Sequence, residues 1–219
     1  MSTNIKAVIF DMDGLIIDSE PLWRKAEMAV FKSMGYDFTE EMCIQTMGMR
    51  LDTVVKFWHE KLKWSNPSIE EVVQNIQNKL IENVNNFGEP LEGVIETIKL
   101  LKVSNIPIAI ASSSSFKIIS TVTKKLEIES YFNIIHSAEN EKQGKPNPAV
   151  FNSTAKMLGF NNENCLVLED SKFGMLAAIN AGMKVIVVPE TGTKPAWTKE
   201  ADRTLSSLKD FNLQQLSFS

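Results

Sequence analysis

Between residues 89 and 188, short apolar runs alternate with segments of helical spacing, and that alternation leaves few folds open to the chain. The runs at 106–111, 133–136, 165–168 and 184–188 have strand length and composition, while 93–103, 115–125, 148–158 and 171–181 space their apolar residues as helices do. Strands this apolar, separated by helices, predict a parallel sheet buried on both faces, an α/β fold of the doubly wound, Rossmann-like kind. Ala7-Val8-Ile9-Phe10 has the same character and belongs to the same sheet.

From Leu22 to about Glu89 the pattern is helical throughout. A first helix opens at Pro21, places Leu22, Ala26, Ala29, Val30 and Ser33 on one face and ends at Gly35. A second begins near Asp52. In the third, capped by Ser68, Ile69, Val72, Val73, Ile76, Leu80 and Val84 recur at helical intervals, with amides and charges on the other side. Three helices inserted after the first strand predict a helical cap domain over residues 16–88, with 1–15 and 89–219 forming the α/β core domain.

A chain of 219 residues is long enough for such a core plus a small second domain. Apolar content of 43% and a net charge of −4 give no basic excess, so a nucleic-acid partner is not expected. No apolar run approaches the roughly 18 residues of a membrane span, and the first residues enter a strand with no signal-peptide pattern. The expectation is a cytoplasmic monomer, away from membranes. Cys43 and Cys165 stand far apart and are expected as small buried residues, and the isolated His59 and His136 carry no assigned chemistry.

In open parallel sheets, ligands bind outside the carboxyl ends of the strands. Four segments bring reactive groups to that edge. The first strand ends in Asp11-Met12-Asp13-Gly14, where the two-residue strand period sends both carboxylates to one side and Gly14 allows the chain to turn away. The 106–111 strand ends in Ser112 and Ser113, Lys145 follows the weak strand at 133–136, and the 165–168 strand ends in Glu169 and Asp170. Each alone has an ordinary explanation. Ser114 or Ser115 suits the cap of the next helix, Lys145 a solvated surface, and Asp170-Ser171 a helix start. Recurrence at one edge of one sheet sets the group apart.

Phosphoryl transfer is the chemistry that such a set suits. A carboxylate attacking a phosphate meets like-charge repulsion of about 4 kcal/mol per charge pair at 4 Å in an effective dielectric near 20. Cations must offset it. Asp11, Asp13 and Asp170 offer hard oxygens to Mg²⁺, Lys145 adds a compact positive charge, and Ser112 with nearby backbone N–H groups can hold phosphate oxygens. Two acids in unlike surroundings can divide the work, one as nucleophile and one as proton donor.

Asp11-Met12-Asp13-Gly14, Ser112 after a hydrophobic strand, Lys145-Pro146 and Leu168-Glu169-Asp170-Ser171 resemble the four motifs of the haloacid dehalogenase superfamily. The helical insert after the first motif is similar to that of its β-phosphoglucomutase-like branch. The stretches 11–23 and Met47-Gly48-Met49-Arg50 resemble most the bacterial sugar phosphatases acting on 2-deoxyglucose 6-phosphate and hexitol phosphates. That resemblance implies an Mg²⁺-dependent phosphatase acting on a small phosphorylated metabolite. Asp11 becomes the aspartyl phosphate, and Asp13 acts as general acid and then base. Asp11, the main-chain carbonyl of Asp13 and Asp170 hold the metal, with Glu169 a further acid beside it. Ser112, Ser113 and Lys145 bind the phosphoryl group.

Dehalogenases and phosphonate-cleaving relatives lack the acid at the Asp13 position. The mutases place a histidine five residues beyond the aspartate that matches Asp18, where this chain has Trp23. That favours hydrolysis, with a sugar-phosphate mutase as the alternative and a receiver-like phospho-acceptor module as a distant third. Trp23 either belongs to the helical core or stacks on a sugar face. Arg50 either reaches the substrate or is solvated.

Overall fold

A computed structural model of the chain describes residues 3–46, 49–189 and 195–218. Every residue of β2 (Ala7–Phe10) and β3 (Ile108–Ser112) is buried, as befits strands covered on both faces. With β4 (Ile134–Ser137), β5 (Cys165–Glu169), β6 (Lys184–Val187) and β7 (Arg203–Thr204) they form a parallel six-stranded sheet. The strand order is β4-β3-β2-β5-β6-β7. The chain starts in the middle at β2, builds outward through β3 and β4, then returns to β5 on the other side. β2 is therefore the topological switch point, where the carboxyl ends of β2, β3 and β5 open a crevice. A separate two-residue ladder pairs β1 (Thr3–Asn4) antiparallel with β8 (Ser217–Phe218).

Strand periodicity divides the core. Val8 and Phe10 join Ile108, Ile110 and Leu168 on the face covered by α5 (Val94–Val103) and α6 (Phe116–Lys125). Ala7 and Ile9 join Val167 and Val185 beneath α7 (Ala149–Leu158) and α8 (Lys172–Asn180). These elements match the sequence expectation to within a few residues. β7 has only two residues and no apolar run, and the sequence gives no sign of it.

The insert holds four helices among the described residues rather than three: α1 (Glu20–Ser33), α2 (Glu40–Ile44), α3 (Leu51–Leu62) and α4 (Ile69–Phe87). The five-residue α2 is too short to display a period. Ala29 and Ser33 are exposed, and Glu27 and Phe31 take the buried face of α1 in their place. α4 starts in a capping box, with Ser68 Oγ accepting from Glu71 N–H at 3.2 Å and Ser68 N–H donating to Glu71 Oε2 at 2.8 Å. Val72, Ile76, Leu80 and Val84 form its buried stripe. The chain leaves the sheet through Gly14, at φ +72°, and returns beside its own exit. Ile17 bridges Pro90, and Leu91 N–H donates to Ile16 O at 3.1 Å. Met47 and Gly48, part of the resemblance drawn from sequence, lie outside the described residues. No helix among those described is long and apolar enough to cross a membrane.

Candidate active site

Asp11 and Lys145, 134 residues apart in sequence, meet at the carboxyl end of β2. Lys145 Nζ donates to Asp11 Oδ1 at 2.5 Å and to Glu169 Oε1 at 2.6 Å, with both acids buried. Burial works against the ammonium, but Asp11 and then Glu169 outweigh it and hold Lys145 above its ordinary value. Phe151 backs it from below, with Nζ 5.0 Å from the ring centroid.

Asp170 completes the cluster. One carboxylate oxygen from each of Asp11, Glu169 and Asp170 lies within 4.8 Å of the others. Three carboxylates against one ammonium leave two negative charges uncompensated. Burial pushes Asp11 up to about 8, with Lys145 opposing and Glu169 and Asp13 adding repulsion. Asp170 is raised well above its ordinary value by burial and by Glu169 and Asp11, with Lys145 opposing. The acids differ in how far they are committed. Glu169 Oε2 accepts from Asp170 N–H, Ser171 N–H and Ser171 O–H, whereas Asp170 Oδ1 is buried with no hydrogen-bond partner. An orphaned buried oxygen beside uncompensated charge, in an all-oxygen donor set, fits a hard divalent cation.

Two glycines make the crowding possible. A Cβ on Gly14 would collide with the Asp170 carboxylate, and one on Gly174 with the Glu169 carboxylate. Ser171 Oγ, besides donating to Glu169, accepts from Gly174 N–H at 3.1 Å and so starts α8 against the acid it holds.

Asp13 is gripped by its side chain. Ser114 O–H donates to Oδ2 at 2.7 Å, Ser112 O–H to the same atom at 3.4 Å, and Trp23 Nε1–H, from α1, to Oδ1 at 3.0 Å. Trp23 is therefore neither simple core nor a free stacking face. Of the two expected serines, Ser113 lines the cavity, while Ser112 is fully buried and also accepts from Ser114 N–H at 3.0 Å. Ser115 takes the N-cap position of α6, but its side chain does not cap; its Oγ accepts from Gln77 of α4. Ser114, expected as a possible cap, was missed as a partner of Asp13, and nothing in its local sequence distinguishes the two roles.

Between the insert and the sheet lies a cavity of about 580 Å³ lined by Asp11, Asp13, Lys145 and Asp170 below and by Trp23, Arg24, Glu27 and Arg50 above. That volume suits a small metabolite. Arg50 borders it with its guanidinium occupied: Nε and Nη2 pair with Asp52 at 2.5 and 2.9 Å, and Nη1 donates to Glu141 O at 3.3 Å across to the sheet side. The two cysteines are free and buried. His136 contacts Glu141, and His59 the Trp64 carbonyl, and neither lines the cavity.

A switch-point crevice holding an Asp-x-Asp strand end, a lysine bridged between acids and a buried aspartate defines a phosphoryl-transfer-type hydrolase site on a doubly wound sheet. Residues 8–188 match the haloacid dehalogenase-like hydrolase family, and the chain belongs to it. It is 38% identical to hexitol phosphatase B of Escherichia coli over 99% of both chains. A phosphorylated carbohydrates phosphatase of Thermotoga maritima is 31% identical over 83% of this chain and 84% of that protein. In structure the chain resembles β-phosphoglucomutase of Clostridium difficile, with a TM-score of 0.83, 25% identity, and coverage of 97% of this chain and 95% of that one.

Proposed function

We propose that the protein is an Mg²⁺-dependent phosphatase of small sugar or sugar-alcohol phosphates, working through a phosphorylated Asp11. The observation that carries this reading is the division of labour between the two acids of the first strand end. Asp11 is bound to Lys145 in the buried cluster, and Asp13 stands apart among neutral donors from Ser114 and Trp23. Similarity to hexitol phosphatase B supports hydrolysis of a polyol ester in particular.

In this reading an Asp11 carboxylate oxygen attacks phosphorus, and the ester oxygen leaves with a proton from Asp13. Asp13, now ionised, takes a proton from water, which attacks the phosphorus and releases inorganic phosphate and free Asp11. Lys145 and Ser113 hold phosphoryl oxygens through both halves, and Ser112 acts through its contact with Asp13. Glu169 keeps Lys145 and the Asp170 loop in place. The Asp11 and Asp170 side chains and the Asp13 main-chain carbonyl would hold Mg²⁺, whose charge offsets that of the incoming phosphate. α1 to α4 act as the cap domain that covers the bound ester.

The test is turnover of a hexitol phosphate or hexose 6-phosphate with Mg²⁺. Inorganic phosphate should appear in step with free polyol or sugar, stop with excess chelator, and vanish in a folded Asp11→Asn variant. β-Glucose 1-phosphate with a bisphosphate primer should not accumulate glucose 6-phosphate. Efficient isomerisation with little phosphate release would establish the mutase instead.

A further inference from the structure

Four buried side-chain polar atoms among the described residues lack a hydrogen-bond partner: Ser19 Oγ, Trp64 Nε1, Asp170 Oδ1 and Glu27 Oε2. Ser19 and Trp64 do not line the cavity, and Asp170 belongs to the cluster that fits a cation. Glu27 remains. It sits in α1, 6% exposed, on the cavity wall opposite the carboxylate cluster, and the thiol of Cys43 is its hydrogen-bond partner. No cation among the described residues pairs with it. A buried carboxyl oxygen left unpaired costs about 1–3 kcal/mol, and more if charged, so a purely structural glutamate here would be an expensive one.

Position adds a direction. Glu27 lies one helical turn beyond Trp23, so it stands about 6 Å further along α1 from the residue that touches Asp13. An ester whose phosphate sits at Asp11 shares its cavity with that turn. The charges there are already matched: Arg24 faces Glu20 at 3.8 Å, and Arg50 forks onto Asp52. A wall whose arginines face acids and which carries one unpaired acceptor suits hydroxyl donors.

We propose that Glu27 is a specificity-determining residue, accepting hydrogen bonds from hydroxyls on the carbon chain of a polyol or sugar monophosphate. This rests on the phosphatase reading above and adds to it a residue that selects the substrate. Burial holds the Glu27 carboxyl up at about 7, against the opposing Cys43 hydrogen bond, so near neutral pH either of its forms keeps an oxygen able to accept. Sites built to pair with a hydroxyl discriminate strongly against analogues that lack it.

The experiment compares kcat/KM for a hexitol 1-phosphate with kcat/KM for p-nitrophenyl phosphate, which has no hydroxyl chain. In Glu27→Leu the ratio of the two should fall tenfold or more. In Glu27→Gln, which keeps an acceptor oxygen, it should stay within about threefold of the parent protein. An unchanged ratio in Glu27→Leu, or an equal fall for both esters, would overturn the assignment. If the parent protein hydrolyses neither ester, the phosphatase reading fails by itself. Calorimetric titration of the hexitol phosphate then still judges Glu27, which requires tenfold weaker binding in Glu27→Leu than in Glu27→Gln.

Discussion

Asp13 takes a hydrogen bond from Trp23 of α1 as well as from the serine turn after β3, so its aim depends on two parts of the chain at once. A hydrogen bond of this kind contributes about 0.5–1.5 kcal/mol. Trp23→Phe removes that donor while keeping an aromatic ring, and we expect kcat to fall about tenfold with KM little changed. A raised KM at constant kcat in steady-state assays would instead mean that the indole serves to stack on substrate. Sequence could place Asp11, Asp13 and Asp170 at one edge of the sheet because they directly follow a strand, whereas Lys145, well beyond the end of β4, is brought there by its loop. Ser114 and Glu27 could not be placed from sequence. A serine opening a helix looks the same whether it caps or turns inward, and Glu27 lies beside the stripe Leu22-Ala26-Val30 with no local mark of burial. Arg50 was expected to be either substrate-facing or solvated. It borders the cavity with its guanidinium taken by Asp52 and backbone carbonyls, a pairing visible only in three dimensions.

At the scale of elements, the junction of β5 with α8 is the tightest part of the site. Glu169 ends β5, receives Lys145 on one oxygen and three loop donors on the other, and lies where Gly174 leaves room. Gly174→Ala would ordinarily favour a helix, by up to about 1 kcal/mol. Here the new methyl would displace Glu169 and free Lys145. We expect the variant to lose about 2 kcal/mol or more in urea unfolding and most of its activity; a more stable variant would contradict that packing. α4 is legible because one-sided burial imposes a helical period over its 19 residues, and β3 because burial on both faces makes it an unbroken apolar run between turn signals. α2 and β7 are not, because five and two residues cannot show either, and their form comes from neighbours that the chain reaches only on folding.

For the whole molecule, the buried Glu27 links stability to pH. Its carboxyl, ordinarily near 4.5, is raised to about 7 by burial, with Cys43 opposing. Between those values the folded protein keeps a proton that the unfolded chain releases, so stability falls as pH rises from about 4.5 to 7 and then levels off. The full shift is worth at most about 3 kcal/mol. Glu27→Gln should therefore gain on the parent protein in thermal melts as pH rises from 5 to 8, the raised acids around Asp11 being common to both. An equal difference at the two pH values would show that Glu27 ionises as freely folded as unfolded.

The rung between Ile17 and Pro90 reaches beyond stability. It sets the point where the chain departs from the sheet against the point where it comes back, within about 5 Å, the spacing of neighbouring strands. Ends so close could be rejoined by a two-residue turn, or by another insert of any length. The carboxylate cluster lies on the sheet side of that seam, and Trp23 and Glu27 on the other. Lineages could therefore trade one lid for another and change what is hydrolysed without rebuilding the machinery that hydrolyses it.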